Sequence, residues 1–306
     1  MPRSVEQERV LLAAMPAVFV LIWSTGFVVA RYGMPHAPPL GFLSLRYALS
    51  LLAFGLWIAV ARAAWPRGAA QWAHLAVAGA LIHAGYLGGV WMAVKAGIGA
   101  GTVALVVGLQ PMLTAVWLSA RGQAQESVSR RQWLGLGLGL CGLVLVVLQR
   151  LGLGEVTPTN MALALVALLS ITAGTLYQKR FVAPCDVRTA NVVQLAAALV
   201  ITAPLAWLEA GAWQLHAELI GAMVWSVLVL TLGGSSLLYL LIQRGAATRV
   251  ASLMYLVPPC TALLAWLLFG ELLTWPVLLG LAVTAVGVAL VVREPLRRPP
   301  EIAPLA

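Results

Sequence analysis

Charge is what this chain has least of. Its 306 residues include only 10 Asp and Glu and 19 Lys and Arg, so charged residues make up 9% of the chain against 61% hydrophobic. A soluble globular domain carries roughly a quarter charged residues, and that class is excluded. Cysteine is also scarce: Cys141 and Cys260 fall inside apolar runs, Cys185 falls in a polar connector, and none has metal-ligand spacing around it. A disulfide framework therefore lacks its raw material, the cysteines point to no metal site, and nothing in the chain calls for a cofactor. No Gly-Lys-Ser/Thr loop is present to cradle phosphate, so nucleotide hydrolysis is unsupported. The carboxylates lie at the ends of apolar runs, in connectors or in tails. Coupling through a buried Asp or Glu is thereby disfavoured.

What is present is membrane. A hydrocarbon core about 30 Å thick takes about 20 apolar residues per helical crossing, and the chain supplies ten such runs: 11–32, 39–61, 71–95, 97–119, 131–148, 160–181, 188–209, 217–242, 246–268 and 273–292. These are spans 1 to 10. They lack the alternation of barrel strands, and in lipid a helix is the remaining way to satisfy the backbone. The expected class is an all-α integral membrane protein of ten transmembrane helices. Val28-Val29-Ala30 loosely resembles a cleavage site, but the run before it is long enough to span, so span 1 is read as retained.

Basic residues sort by connector. Arg3, Arg9, Arg62, Arg67, Arg121, Arg130, Arg131, Lys179, Arg180, Arg188, Arg244, Arg249, Arg293, Arg297 and Arg298 fall on one side, and only Arg31, Lys95 and Arg150 on the other. Positive charge is retained in the cytoplasm, which predicts both termini there. The net charge of +9 is then an orientation signal with anionic-lipid contacts, and no nucleic-acid partner is needed. Trp65, Trp72, Trp133, Trp207, Trp213 and Trp275 sit near span ends as interfacial anchors.

The chain also repeats itself. Val103-Ala104, Leu109-Gln110-Pro111 and Thr114-Ala115 recur 147 positions later as Val250-Ala251, Leu256-Val257-Pro258 and Thr261-Ala262. Glu126, Gly135 and Gly142 recur 145 positions later as Glu271, Gly280 and Gly287. Five spans per copy is an odd number, so the second copy enters the membrane inverted relative to the first. Inverted repeats place a site between them near the midplane, reachable alternately from either side. The boundary is expected at 150/151: residues 1–150 hold the first repeat, and residues 151–306 hold the second with a basic tail.

Trp23 with its small and polar followers, Pro39 with Arg46, Pro111 and Pro258, and Glu271 through Gly280 to Gly287 occur here in order and in duplicate. This pattern resembles the drug/metabolite transporter superfamily, in particular its ten-helix members built from two EamA-type domains. The resemblance implies an inner-membrane exporter of amino acids or other small metabolites.

His83 lies at the centre of span 3 with Tyr86 three positions on, which in an α-helix sets imidazole and phenol on one face. An ionisable group at that depth is a site candidate; a neutral histidine bonded to a neighbouring carbonyl is the plain alternative. Arg46, within span 2, reads first as a paired or snorkelling structural arginine and second as the attractor of a substrate carboxylate. Lys95 reads equally as anchor or entrance charge. Pro111 and Pro258 are expected to break spans 4 and 9 at matching depths. Gln110, Tyr255, Ser235, Tyr239, Ser24, Thr25, Thr172 and Thr175 add polar groups, and Trp23 and Trp91 add rings. The pathway is expected among spans 1, 3, 4, 6, 8 and 9. Spans 5 and 10, with their glycines, are expected at the periphery as packing elements and a homodimer contact.

The reading is an exporter of small amphipathic metabolites, aromatic or apolar amino acids above all, working by alternating access. Its rivals are a nucleotide-sugar or drug exporter of the same fold, an intramembrane enzyme, and a lipid scramblase or passive channel. An enzyme needs a nucleophile and base or a metal cluster deep in the bundle, and a lone His83 supplies neither.

Overall fold

The structure is a computed structural model that describes residues 5–120, 130–234, 237 and 256–292. All regular structure among the described residues is helical. Span 1 is Val5–Gly33, span 2 Pro39–Ala61, span 3 Ala69–Lys95, span 5 Arg130–Gly152, span 6 Pro158–Phe181 and span 7 Val187–Leu208. Span 8 is described over Ala217–Gly234, span 9 over Val257–Phe269 and span 10 over Trp275–Val292. Among the described residues six helices are long and apolar enough to cross a membrane, and four shorter apolar helices bring the number to ten.

Span 4 is two helices, Ala100–Val107 and Gln110–Ala120, with the break just before Pro111 rather than at it. The chain turns at Gly108 and Leu109, where Leu109 N–H reaches back only to the Val106 carbonyl, 3.2 Å away. The proline that motivated the expected break is not at the turn itself. Pro111 is the second residue of the helix that follows, and Pro258 is likewise second in Val257–Phe269. In a first turn the missing N–H has no helical partner to lose, so proline starts these helices at little cost. A Cβ on Gly108 would fall against the Pro258 ring, so the break in span 4 touches the start of the helix described for span 9.

The connectors fall into two faces. On one, Gln71 exchanges amide hydrogen bonds with the Ala183 backbone (2.8 and 3.1 Å), and Thr189 donates to the Ala64 carbonyl at 3.0 Å. On the other, the five described connectors are joined in series. Lys95 Nζ donates to the Met34 carbonyl at 2.6 Å, and Gln214 N–H to the His36 carbonyl at 2.8 Å. Asn160 completes a capping box with Thr157 and donates to the Ala96 carbonyl at 3.2 Å. Glu271 accepts from Ala100 N–H at 2.9 Å, and Arg150 donates to the Leu272 carbonyl at 2.9 Å and to both Glu155 oxygens. Lys95, read equally as anchor or entrance charge, here donates to the Met34 and Ala37 carbonyls just past span 1.

Two groups sorted as ordinary connector charges are buried. Arg150 and Glu271 line a water-sized cavity of about 10 Å³ with Thr102, between spans 4, 5, 9 and 10. Glu271 is held there because the first N–H of span 4 needs an acceptor. Spans 5 and 10 lie face to face. A Cβ on Gly142 would overlap the Gly280 carbonyl and Thr284, and one on Gly287 would overlap the Gly135 carbonyl and Gly139. The glycines expected in part at a homodimer contact are therefore occupied within the chain. Close backbone approach is how small residues hold membrane helices together where no hydrophobic drive exists.

Replacing Glu271 by Ala strands the buried Ala100 N–H and one neighbour of Arg150. The expected cost is about 2 kcal/mol, read as a lower midpoint of thermal unfolding in detergent. Glu271→Gln, which keeps an acceptor oxygen, is expected to lose markedly less.

Candidate functional site

Two π-helical segments organise the middle of the bundle, and sequence reasoning did not anticipate either. Span 3 widens over Ala80–Leu87 and span 8 over Trp225–Gly234. They are repeat mates, since Ala80 and Leu87 lie 147 positions before Val227 and Gly234. A π segment is rare, breaks the i→i−4 ladder locally, and concentrates at functional sites.

Neighbouring residues of span 2 engage both. Arg46 is buried, and its Nε and Nη2 donate to Thr231 Oγ1 in span 8 at 3.2 and 3.0 Å. Thr231 in turn donates to the Ser226 carbonyl at 2.8 Å. Tyr47, fully buried, donates its hydroxyl to the His83 carbonyl in span 3 at 2.8 Å, with its ring edge-on to the imidazole. Residues 46 and 47 thus pin one π segment each.

His83 is half-buried between spans 2 and 7. Gly79 brings span 3 against span 7 so closely that a Cβ would collide with the Gln194 backbone. One turn later the Gln194 side chain lies within hydrogen-bonding reach of the imidazole, and it also donates to Gln178 of span 6 at 3.2 Å. The Arg46 guanidinium is within electrostatic reach of both His83 and Tyr86. Tyr86 itself is buried in the core, whereas His83 is partly open. The single face expected for this pair holds for an α-helix. The wider π turn changes the angle between positions three apart, and both groups remain within electrostatic reach of Arg46.

The remaining candidates divide. Gln110, at the break in span 4, donates to Thr175 of span 6 at 3.0 Å, which joins two of them directly. Thr172 is spent on its own helix, donating to the Leu168 carbonyl at 2.7 Å. Ser24 is buried where span 1 meets span 9; its hydroxyl donates to the Val20 carbonyl at 2.7 Å, and its own carbonyl accepts from the Thr261 hydroxyl at 3.2 Å. Thr25 accepts from the Trp225 indole at 2.9 Å. Trp91 is fully buried and stacked on Phe42, with centroids 4.5 Å apart, in a packing position. Trp23 is half-buried beside Phe19. Ser235, Tyr239 and Tyr255 lie outside the described residues. Tyr47, Gln178, Gln194, Trp225 and Thr231 were missed. Each is a polar group inside an apolar span, and that signal alone could have found Gln194 and Thr231.

The charge balance around Arg46 is informative. All five carboxylates with described side chains are engaged at the membrane faces: Glu155 with Arg150, Asp186 with Arg188, Glu218 with His36, Glu209 with Leu40 and Gly41 N–H, and Glu271 with Ala100 N–H. Among the described residues Arg46 therefore has a neutral hydroxyl as its bonded partner and no anion.

Comparison with known proteins agrees with the bundle. The profile of the EamA-like transporter family matches residues 10–148 and again 159–293. A protein of Salmonella typhimurium named "Probable amino-acid metabolite efflux pump" is 27% identical over 280 residues, covering 88% of this chain and 90% of its own length. A protein of Escherichia coli with the same name is 26% identical over 278 residues, at 88% and 90% coverage. A solved crystal structure superposes with a TM-score of 0.64 at 20% identity, over 90% of this chain and 94% of its own, and so shares the fold.

Thr231→Val keeps the shape of the side chain and removes the acceptor for Arg46. A cost of about 1–3 kcal/mol is expected from stranding a buried charged donor, measured as lost thermal stability in detergent. Tyr47→Phe, which strands only a carbonyl, is expected to cost about 1 kcal/mol.

Proposed function

The chain belongs to the EamA-like transporter family, and on that footing we propose that it exports amino acids, apolar and aromatic ones above all, from the cytoplasm across the inner membrane. The observation that carries the reading is the buried Arg46 guanidinium, which two nitrogens fix to Thr231 and which no protein carboxylate neutralises among the described residues. A guanidinium in a dry setting binds carboxylate through strong charge-assisted hydrogen bonds. The α-carboxylate of an amino acid is the natural counter-ion.

The surroundings suit the rest of such a substrate. Tyr86 and His83 lie within electrostatic reach of the guanidinium, and span 1, which carries Trp23, packs on the π segment of span 8 through Gly26 against Leu230. The names of the Salmonella and Escherichia relatives point to the same substrate class. A pocket of rings with a few fixed polar groups orients a small amphipathic ligand. This reading reverses the order of the two sequence-based roles of Arg46, because burial without an anion is costly for a purely structural arginine.

We place the arginine-rich face, with both termini, in the cytoplasm. The opposite face is the one joined by the Lys95, Gln214, Asn160, Glu271 and Arg150 contacts. Release to the outside then requires those contacts to part as the repeats rock. If protons are coupled, His83 is the group that takes them up.

The test is counterflow in liposomes preloaded with unlabelled amino acids, against a labelled panel, with and without a pH gradient. Saturable exchange of apolar and aromatic amino acids is expected. Arg46→Gln should raise KM about tenfold or more, corresponding to about 1.4 kcal/mol or more of lost binding. It should also abolish the preference for an amino acid over its carboxamide. Absence of exchange for every amino acid overturns the reading in favour of a nucleotide-sugar or drug substrate. Unchanged discrimination in Arg46→Gln overturns the role of Arg46 alone.

A further inference from the structure

On the face opposite the arginine-rich one, two imidazoles and a carboxylate converge from distant parts of the chain. His36 sits in the connector between spans 1 and 2, and His216 and Glu218 open span 8. His36 Nε2 lies 3.1 Å from Glu218 Oε2, and His216 Nδ1 lies 3.9 Å from the same oxygen. The two rings stack with centroids 4.4 Å apart, and the three ligand atoms all lie within 4.8 Å of one another. We propose that His36, His216 and Glu218 form a surface site for a borderline transition-metal dication of the Zn²⁺ type.

The donor set selects the metal class. Two neutral imidazoles and one carboxylate suit zinc, copper or nickel, whereas magnesium and calcium take oxygen donors. A tetrahedral zinc with bonds of about 2.0–2.2 Å sets its ligand atoms roughly 3.3 Å apart. The cluster is therefore within a small side-chain adjustment of that geometry, and a fourth position stays open to water. Nearly parallel rings aim their in-plane lone pairs side by side, so one ring must tilt to complete the site. His216 and Glu218 are about half exposed and have room for this.

The backbone beneath is already fixed. Gln214 N–H donates to the His36 carbonyl at 2.8 Å, two residues before His216. Lys95 holds the carbonyls of Met34 and Ala37 on either side of His36, and Glu209 accepts Leu40 and Gly41 N–H. His216 Nδ1 accepts Glu218 N–H at 3.3 Å, so its single lone pair must leave that long contact, by the same ring tilt, to take a metal. Ligand backbones held in place before binding lose little entropy on it. His36 belongs to the first repeat and the other two ligands to the second. A bound dication clamps the repeats together at this face.

The experiment is calorimetric titration of the tag-free, full-length protein in detergent with ZnCl₂, with MgCl₂ and CaCl₂ as controls and thermal unfolding as a second readout. One zinc per chain is expected, with a zinc-dependent rise in the unfolding midpoint and no response to the controls. His36→Ala, His216→Ala and Glu218→Gln should each weaken zinc binding about tenfold or more, whereas His74→Ala should not. His36→Gln, which keeps a hydrogen-bonding group towards Glu218, covers the case in which His36→Ala does not fold. Absence of zinc binding by the wild type at 100 µM, or wild-type binding by all the variants, overturns the site and leaves a simple His36–Glu218 hydrogen bond. Neither outcome depends on which substrate the protein carries.

Discussion

A polar group in hydrocarbon has no water to fall back on, and the polar contacts of this bundle follow from that constraint. Span 2 carries a guanidinium and a phenol side by side, and each must find an acceptor in another helix. Arg46 finds Thr231, and Tyr47 finds the His83 carbonyl. These two bonds fix span 2 against spans 8 and 3 together. They also set the positions of the two π segments, around which spans 1 and 7 then pack.

Duplication gives the architecture and divergence gives the site. The prolines of spans 4 and 9 hold equivalent places in their helices, Gly108 before the first packs against the second, and the π segments of spans 3 and 8 are equivalent too. The chemistry within them is not equivalent: one segment presents His83 and Tyr86, the other Thr231 and Trp225. An inverted pair of scaffolds with unlike side chains yields an asymmetric polar centre suited to a ligand with two different ends. At the membrane face the same economy applies, as Glu271 serves the start of span 4 and lies 4.0 Å from Arg150.

Much of this was legible in the chain. Span number, helical class and duplication rest on apolar run length and on residue spacing, which lipid reads directly. His83 and Arg46 stood out as titratable groups inside apolar runs. Lys95, at a helix end, donates to the carbonyls of Met34 and Ala37, contacts that its place in the sequence did not reveal. Tyr47 and Gln194 went unnoticed because their roles depend on which spans touch. A tyrosine in a membrane helix says nothing of itself about the carbonyl it will meet.

The sequence by itself determined that this is a ten-span, duplicated, inverted membrane bundle with one arginine-rich face, because hydropathy, periodicity and charge asymmetry are properties of composition and order. Only the tertiary structure decided that Arg46 bonds to a neutral threonine, that spans 5 and 10 spend their glycines on each other, and that His36 meets His216 and Glu218. Those outcomes depend on helix rotation, on a π turn that shifts every later side chain, and on the close approach of segments far apart in the chain. None of these is written in local residue pattern.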